Sequence, residues 1–475
     1  MLSISGGRPV RACDGATRRE VLRVGGLSLF GSMTLPRLLQ ARQLAPAPRS
    51  GRAKSIVLVN LFGGPSHIDT FDMKPDAPAE VRGPFKAIST SLPGVSICEH
   101  MPKLAKWMHK ASLIRSVTHG YNSHNPYAML TGFTGGDDRE NYYAKRSDHP
   151  GVAAVCQQQG LGPRDLPASV FLPSHPGYSQ GLRRAGPYGG YLGGQFDPMF
   201  SGCDPKFDRE FNQDAEFYNP ISPKGEPRLP SLDEMPGLTP IRLSGRSSLL
   251  GEMDRHLSVL DRSREFVAMD HVRAKAMELI TSSRARAAFD LSRETEATRA
   301  RYGTSLFGTS MLVARKLVEA EVPFVAVTTE SRGAGHWDAH EKNFSMLQDF
   351  NLPNLDEIVT PLLEDLETRG LLDSTLVVVM GEMGRSPKVN GKGGRDHWPQ
   401  CGFALLLGGG VKEGCVVGSS DRMGGLPRDR PVTPGDLVAT MYQLLGIDPT
   451  LMLPDLTGRP IHIAHGGEPI SEILA

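Results

Sequence analysis

The sequence predicts an α/β fold: a doubly wound, mostly parallel sheet with helices on both faces. Three observations carry this expectation. Short runs of apolar, largely β-branched residues recur at Ser55–Leu61 (SIVLVNL), Pro323–Thr329 (PFVAVTT) and Thr375–Met380 (TLVVVM). They are continuous rather than alternating, as strands covered on both faces are. Amphipathic stretches at Ser305–Ala320 and Asn354–Arg369 separate them, long enough to serve as crossover helices between parallel strands. Each of the three runs also ends in a loop bearing glycine together with His, Asp or Glu. Such loops lie at the C-terminal edge of the strands, where open α/β sheets bind their ligands.

Taken in order, the chain begins with a targeting pattern. Arg18-Arg19 and Arg23 precede the weakly apolar run Val24–Leu35, which contains Gly25, Gly26, Ser28 and Gly31. This combination predicts a twin-arginine export signal with its linker over residues 1–48, and an exported protein of the periplasm or cell envelope. Ala45-Pro46-Ala47 resembles a cleavage site, but Pro48 follows it and would hinder cutting. The rest, 49–475, reads as one α/β domain.

The first strand leads into Phe62-Gly63-Gly64-Pro65-Ser66-His67-Ile68-Asp69, which places His67 and Asp69 just past its tip. Met101–His109 predicts a short amphipathic helix and Ala111–Val117 a strand. His119, Ser123 and His124 follow, ahead of a helix beginning near Pro126. Ser123 between two histidines fits either a nucleophile with neighbouring bases or a helix cap beside surface histidines. Gly151–Gln159 reads as helix and Ala168–Leu172 as strand.

A Gly-, Pro- and Tyr-rich insertion then begins at 173 and continues to about 303, where helically spaced apolar residues predict a helical cap. The strand Pro323–Thr329 leads to His336, Asp338 and His340. The strand Thr375–Met380 leads to Glu382, Arg385, Arg395, Asp396 and His397, and Phe403–Gly408 follows at once as another strand. Thr433–Leu445, with proline in its first turn, predicts the last helix.

Composition narrows the function. The chain has 475 residues, a net charge of +1, and 53 Gly with 37 Pro. It contains no block of like charge that would mark a nucleic-acid partner. It also lacks the roughly 18 consecutive apolar residues that a membrane span needs. Beyond Cys13, the five cysteines form no CxxC pair and no zinc motif. An oxidising compartment would permit one disulfide, which the spacing does not name. What remains is the convergence of three strand-tip clusters. His67 with Asp69, Asp338 with His340, and Glu382 with Asp396 and His397 together predict a divalent metal site (Zn, Ca, Mg or Mn).

Phe62–Pro75 (FGGPSHIDTFDMKP), Leu130-Thr131-Gly132, Gly381–Arg385 (GEMGR) and Gly394–Pro399 (GRDHWP) resemble the bacterial domain-of-unknown-function family 1501, over nearly all of Ser55 to Pro449. That family is placed in the alkaline phosphatase-like superfamily, with the sulfatases. The resemblance implies a metal at the strand tips and a Ser, Thr or formylglycine nucleophile attacking phosphorus or sulfur. Asp338 and His340 resemble the superfamily's Asp…His pair, and His397 its last His. Glu382-Met383-Gly384 stands where the superfamily has Asp-His-Gly, and Phe62 where the first strand usually ends in Asp. Sulfatases carry their nucleophile in Cys/Ser-x-Pro-x-Arg ten residues before the Gly of Leu-Thr-Gly; ten residues before Gly132 stands Asn122, with Ser123 one residue later, and the Pro and Arg are absent.

The expected function is therefore an exported metal-dependent hydrolase of small anionic esters or sulfated or phosphorylated glycans. Ser123 or water would be the nucleophile, His124 or His119 the proton shuttle, and Arg385 or Arg395 the anion clamp. The alternative expectation is a catalytically degenerate binding or scaffold protein, with Gly177–Pro198 as its contact surface.

Overall fold

A computed structural model of the chain describes residues 51–139, 142–207, 223–229, 282–330 and 336–475. The export signal expected at 1–48 lies outside the described residues, as does most of the expected cap. The central sheet has eight described strands: β1 (Ser55–Asn60), β2 (Ala111–Val117), β3 (Ser169–Leu172), β4 (Met199–Phe200), β5 (Phe324–Thr328), β6 (Thr375–Met380), β7 (Gly402–Leu407) and β8 (Cys415–Val417). Their spatial order is β8-β2-β7-β6-β1-β5-β3-β4. All pairings are parallel except those of β7, which runs against both β6 and β2. The chain between β6 and β7 is a long hairpin connection, so β7 has to return antiparallel.

Register puts the predicted clusters at one level. Asn60 at the tip of β1 pairs with Thr328 of β5 on one side and Met380 of β6 on the other. The loops after β1, β5 and β6 therefore leave the sheet side by side. The loop entering β7 and the loop leaving β2 emerge at the same edge.

Both faces of the sheet are covered, as the continuous apolar runs require. Val57 and Val59 point into a core with Met311, Leu312, Val359 and Leu363, from the helices α2 (Leu306–Glu319) and α3 (Leu352–Thr368). Ile56 and Leu58 point the other way, against Val155, Val438 and Tyr442, from α1 (Val152–Gln158) and α4 (Pro434–Leu444). Thr433 and Asp436 close a capping box on α4, with Pro434 in its first turn.

Four details differ from the sequence expectation. The helix expected at Met101–His109 is a 3₁₀ helix, Leu104–Lys110. Asp356 of α3 accepts the Lys103 and Leu104 amides at 3.0 and 2.6 Å and thereby holds its start. The insertion contributes an edge strand, β4. Its described helices, Ser283–Phe289 and Glu296–Tyr302, bury Ala285, Ala288 and Tyr302 in the same core as α2. Finally, the helix expected to start at Asn354 starts earlier, because Asn343–Met346 runs through a π-turn, Leu347–Asn351, into α3. Cys98, Cys203, Cys401 and Cys415 are free thiols. No helix among the described residues is long and apolar enough to cross a membrane.

The insertion is fastened to the tip of β5 by Glu330. Its buried carboxylate accepts the Gly177 amide (2.8 Å), the Ser179 amide (3.2 Å) and the Ser179 hydroxyl (2.6 Å), and its carbonyl accepts the Tyr178 hydroxyl. Burial pushes the Glu330 carboxyl up from 4.5 to about 7, against the pull of these donors. Between those values the folded chain holds a proton there that the unfolded chain has released. The stabilisation from Glu330 is thus complete below about 4.5 and is lost as pH rises through about 7. Unfolding free energy measured by urea titration should fall across that window, and less so in Glu330→Gln. Equal slopes in the two proteins would refute the assignment.

Candidate metal centre

The site is assembled from the loops at the shared sheet edge. Asp338, after β5, is its hub. Its Oδ2 lies 3.2 Å from His124 Nε2, and its Oδ1 lies 3.1 Å from His340 Nε2, 3.4 Å from His397 Nε2 and 2.6 Å from Arg385 Nη2. The ligand atoms of His124, Asp338 and His397 all lie within 4.8 Å of one another, the one such group among the described residues. Glu382 stands behind His124, with Oε1 3.0 Å from Nδ1, so that Nε2 faces Asp338.

The backbone makes room for this arrangement. Gly63 donates its amide to Glu382 Oε1 at 2.7 Å, and its φ of +106° is one that L side chains rarely adopt. A Cβ there would fall 2.2 Å from the Asp338 amide. Gly394 plays the matching part in the hairpin, where a Cβ would fall 1.8 Å from the His340 carbonyl oxygen. The hairpin strands Gly384–Arg385 and His397–Trp398 pair His397 with Arg385 and so deliver both side chains together.

Electrostatics organise the centre around the Asp338 carboxylate. Burial disfavours the His124 imidazolium, but Asp338 and Glu382 outweigh it and lift its pKa to about 9. Burial likewise disfavours the Asp338 carboxylate, yet Arg385 and His124 hold it well below the ordinary range. Hydrogen bonding to Asp338 raises His340, which also contacts Asp396 at 2.8 Å. His397 is shifted down, chiefly by burial. Glu382 Oε2 is buried and accepts no hydrogen bond from the described residues. Two imidazoles and a carboxylate held ionised make a donor set that fits a divalent cation. A proton on His124 now occupies the position such a cation would compete for.

The sequence assigned some of these residues differently. His124, expected to shuttle protons, belongs to the ligand group. Asp338 and His397 are in it, with Glu382 and His340 at its margin. Asp396 is one step out, on His340. His67 and Asp69 are not brought to it. His67 is fully buried, with Nε2 2.7 Å from the Gly424 carbonyl, and burial lowers its pKa. Asp69 is clamped by Arg395 through two bonds of 2.7 and 2.9 Å and accepts Asn343 Nδ2 at 2.9 Å.

Neither arginine is placed to bind a substrate anion. Arg385 donates to Asp338 and to the carbonyls of Gly63, Gly64 and Arg395. Arg395 donates to Asp69 and to the carbonyls of Val81, Ser386 and Pro387. Both are fully buried, and a buried guanidinium needs acceptors for all five of its N–H groups. Ser123 is buried as well. Its hydroxyl accepts the Asn125 amide (3.2 Å) and Asn125 Nδ2 (2.9 Å). His119 lies below the site, where burial drops its pKa to about 4. In the Gly177–Pro198 stretch, Tyr188 and Tyr191 are buried and offer little contact surface.

Asn125, Asn343 and Asn351, to which no sequence motif assigned a role, also hold the loops of this edge. Phe62, at the entry of the loop after β1, sets its ring 5.8 Å from the His124 ring.

Comparison with solved structures finds distant likenesses. The PsFucS1 sulfatase from Pseudoalteromonas sp. is 12% identical over 90% of this chain and 72% of its own, with a TM-score of 0.39. A protein in the alkaline phosphatase superfamily from Vibrio parahaemolyticus is 11% identical over 90% and 71%, also at 0.39. The phosphonate monoester hydrolase SpPMH from Silicibacter pomeroyi is 10% identical over 89% and 76%, at 0.35. Likeness at this level transfers neither residue roles nor an activity. Comparison with curated protein sequences finds no match. A family model does match, over residues 53–474, which is the whole of the sheet and every loop of the site: the chain belongs to the DUF1501 family, described as protein of unknown function.

Proposed function

We propose that the protein is an exported, metal-dependent hydrolase of phosphate or sulfate esters, working at His124, Asp338 and His397. The observation that carries this reading is the convergence of those three ligand atoms within 4.8 Å at the sheet edge. Two imidazoles and one carboxylate favour a Zn- or Mn-type ion over Mg or Ca, which prefer all-oxygen shells. When bound, such an ion polarises the ester oxygen and lowers the pKa of a water. Arg385 keeps Asp338 ionised, and Glu382 fixes the orientation of the His124 ring. His340, 3.1 Å from Asp338 and linked to exposed Asp396, is assigned the role of giving a proton to the leaving group. The twin-arginine pattern around Arg18-Arg19 supports export, and an anionic ester, free or on a glycan, is the substrate class.

Ser123 does not fit the nucleophile's role, because Asn125 already engages its hydroxyl, so the reading assigns attack to water. Ser123→Ala should keep most of kcat on an aryl phosphate or sulfate. A serine nucleophile would instead show a loss on the order of 10⁶-fold. The test of the whole reading is metal analysis joined to turnover. Stoichiometric Zn or Mn, removed by chelator together with hydrolysis and restored together with it, is the expected result. Absence of metal in protein refolded or expressed with either ion would overturn it.

A second reading has its own observation. Both guanidinium groups are internal, so no arginine among those expected is left to clamp an anion. That favours a degenerate member that binds a ligand through the metal without turnover. Metal without hydrolysis of any aryl phosphate or sulfate would decide for it.

A further inference from the structure

The helix entering α3 is interrupted by a π-turn, and the interruption has a consequence for the metal centre. Asn343 starts this helix and Asn351 closes the π-turn. Two α turns take about 7 residues, so residues eight apart on an unbroken α-helix would fall out of line. A stretch of i→i+5 bonding adds about one residue to the turn. The eighth residue is thereby brought back to the same face. Both asparagines are buried, and each donates Nδ2 to a different loop of the site. Asn343 reaches Asp69 Oδ2 at 2.9 Å, while its backbone amide donates to the Gly393 carbonyl at 3.0 Å. Asn351 reaches the His336 carbonyl at 3.0 Å.

These contacts meet the two segments that carry the ligands. Asp69 holds Arg395, two residues before His397. His336 lies two residues before Asp338, and its Nδ1 accepts the Asp338 amide at 3.3 Å. Trp337, between them, donates its amide to the Phe62 carbonyl at 2.6 Å and its indole N–H to Thr329 Oγ1 at 3.0 Å. The Asp338 segment is thus held from one side by β1 and β5, and from the other by Asn351.

We infer that Asn351 is a positioning residue for Asp338, and that the π-turn exists to align it with Asn343 so that one helix face sets the spacing of the two ligand-bearing loops. The inference rests on the metal-centre reading. Partners outside a metal's own ligands typically change affinity by about 10–100-fold when removed.

The test compares Asn351→Leu and the milder Asn351→Ser with Asn354→Ala, using Co(II) as probe. Asn354 sits on the same helix but bonds Ser305 Oγ, away from the centre. Both Asn351 variants are expected to bind Co(II) at least about 10-fold more weakly. They should also change its visible absorption spectrum, which reports ligand geometry. Asn354→Ala should lower the melting temperature without altering either readout. Asn351 variants with lowered melting temperature but wild-type affinity and spectrum would overturn the inference. If wild type itself binds no Co(II), the metal reading fails separately. The His124 ring ¹⁵N shifts of metal-free protein then judge the positioning role, and shifts unchanged in Asn351→Ser would overturn it.

Discussion

Asp338→Ala is expected to abolish metal binding and, independently, to be among the most destabilising single substitutions in the chain. The carboxylate is the shared partner of Arg385, His124, His340 and His397. Removing it leaves a fully buried guanidinium and a buried imidazolium without their main counter-charge. Breaking one side of a buried pair costs about 3–5 kcal/mol. Asp338→Asn separates the two effects. An amide oxygen can still accept from Arg385, so most of the fold survives, but the charge that attracts a cation is lost.

The expected results are therefore a large stability loss for Ala, a smaller one for Asn, and no stoichiometric metal in either. Asn retaining wild-type metal content would remove Asp338 from the ligand set. A pH signature accompanies this. His124 is raised from 6.5 to about 9, so its contribution is complete below about 6.5 and disappears as pH rises through about 9. Metal-free wild type should lose stability over that range, and Asp338→Ala, which removes the main cause, should lose less.

The second large effect is expected at the pair Asp69–Arg395, where both side chains are fully buried. Two parallel bonds join them, and Arg395 also ties the carbonyls of Val81, Ser386 and Pro387 into one cluster. Asp69→Ala or Arg395→Met alone should cost about 3–5 kcal/mol, since each strands the other charge away from water. The double variant should be less destabilised than the sum of the singles, because it strands neither charge. Denaturant titrations of the four proteins give the coupling directly. Single variants that cost under about 1 kcal/mol would show the pair to be no stronger than an exposed one. Metal affinity should fall with either single variant, since Arg395 precedes Asp396 and His397 in the hairpin.

Asp338 and the Asp69–Arg395 pair mark what loop composition can and cannot convey. His, Asp and Glu beyond strand tips are visible in a sequence, and so are the tips themselves. Asp338, His397 and Glu382 could be named because β1, β5 and β6 are unmistakable apolar runs. Asp69 and Arg395 carried the same local signature, yet their charges satisfy each other. The composition of a loop does not say which carboxylate meets a guanidinium and which is left facing a cluster of imidazoles. His124 illustrates the reverse. Beside Ser123 it reads as a base, and only the approach of Asp338 and Glu382, over 200 residues away, makes it part of a ligand group.

What the sequence determined by itself is the layer architecture. Continuous β-branched runs have to be covered on both faces, and the helices between them make the parallel crossovers. The edge at which polar loops gather follows from that, because period and burial are local properties of a chain. The tertiary structure alone decided the pairing of charges across that edge, the antiparallel return of β7, the π-turn before α3 and the docking of the insertion through Glu330. Each depends on contacts between segments far apart in sequence. Buried polar groups are held by whichever partner arrives within about 3 Å, and that distance is set by the packed fold and not by the neighbours along the chain.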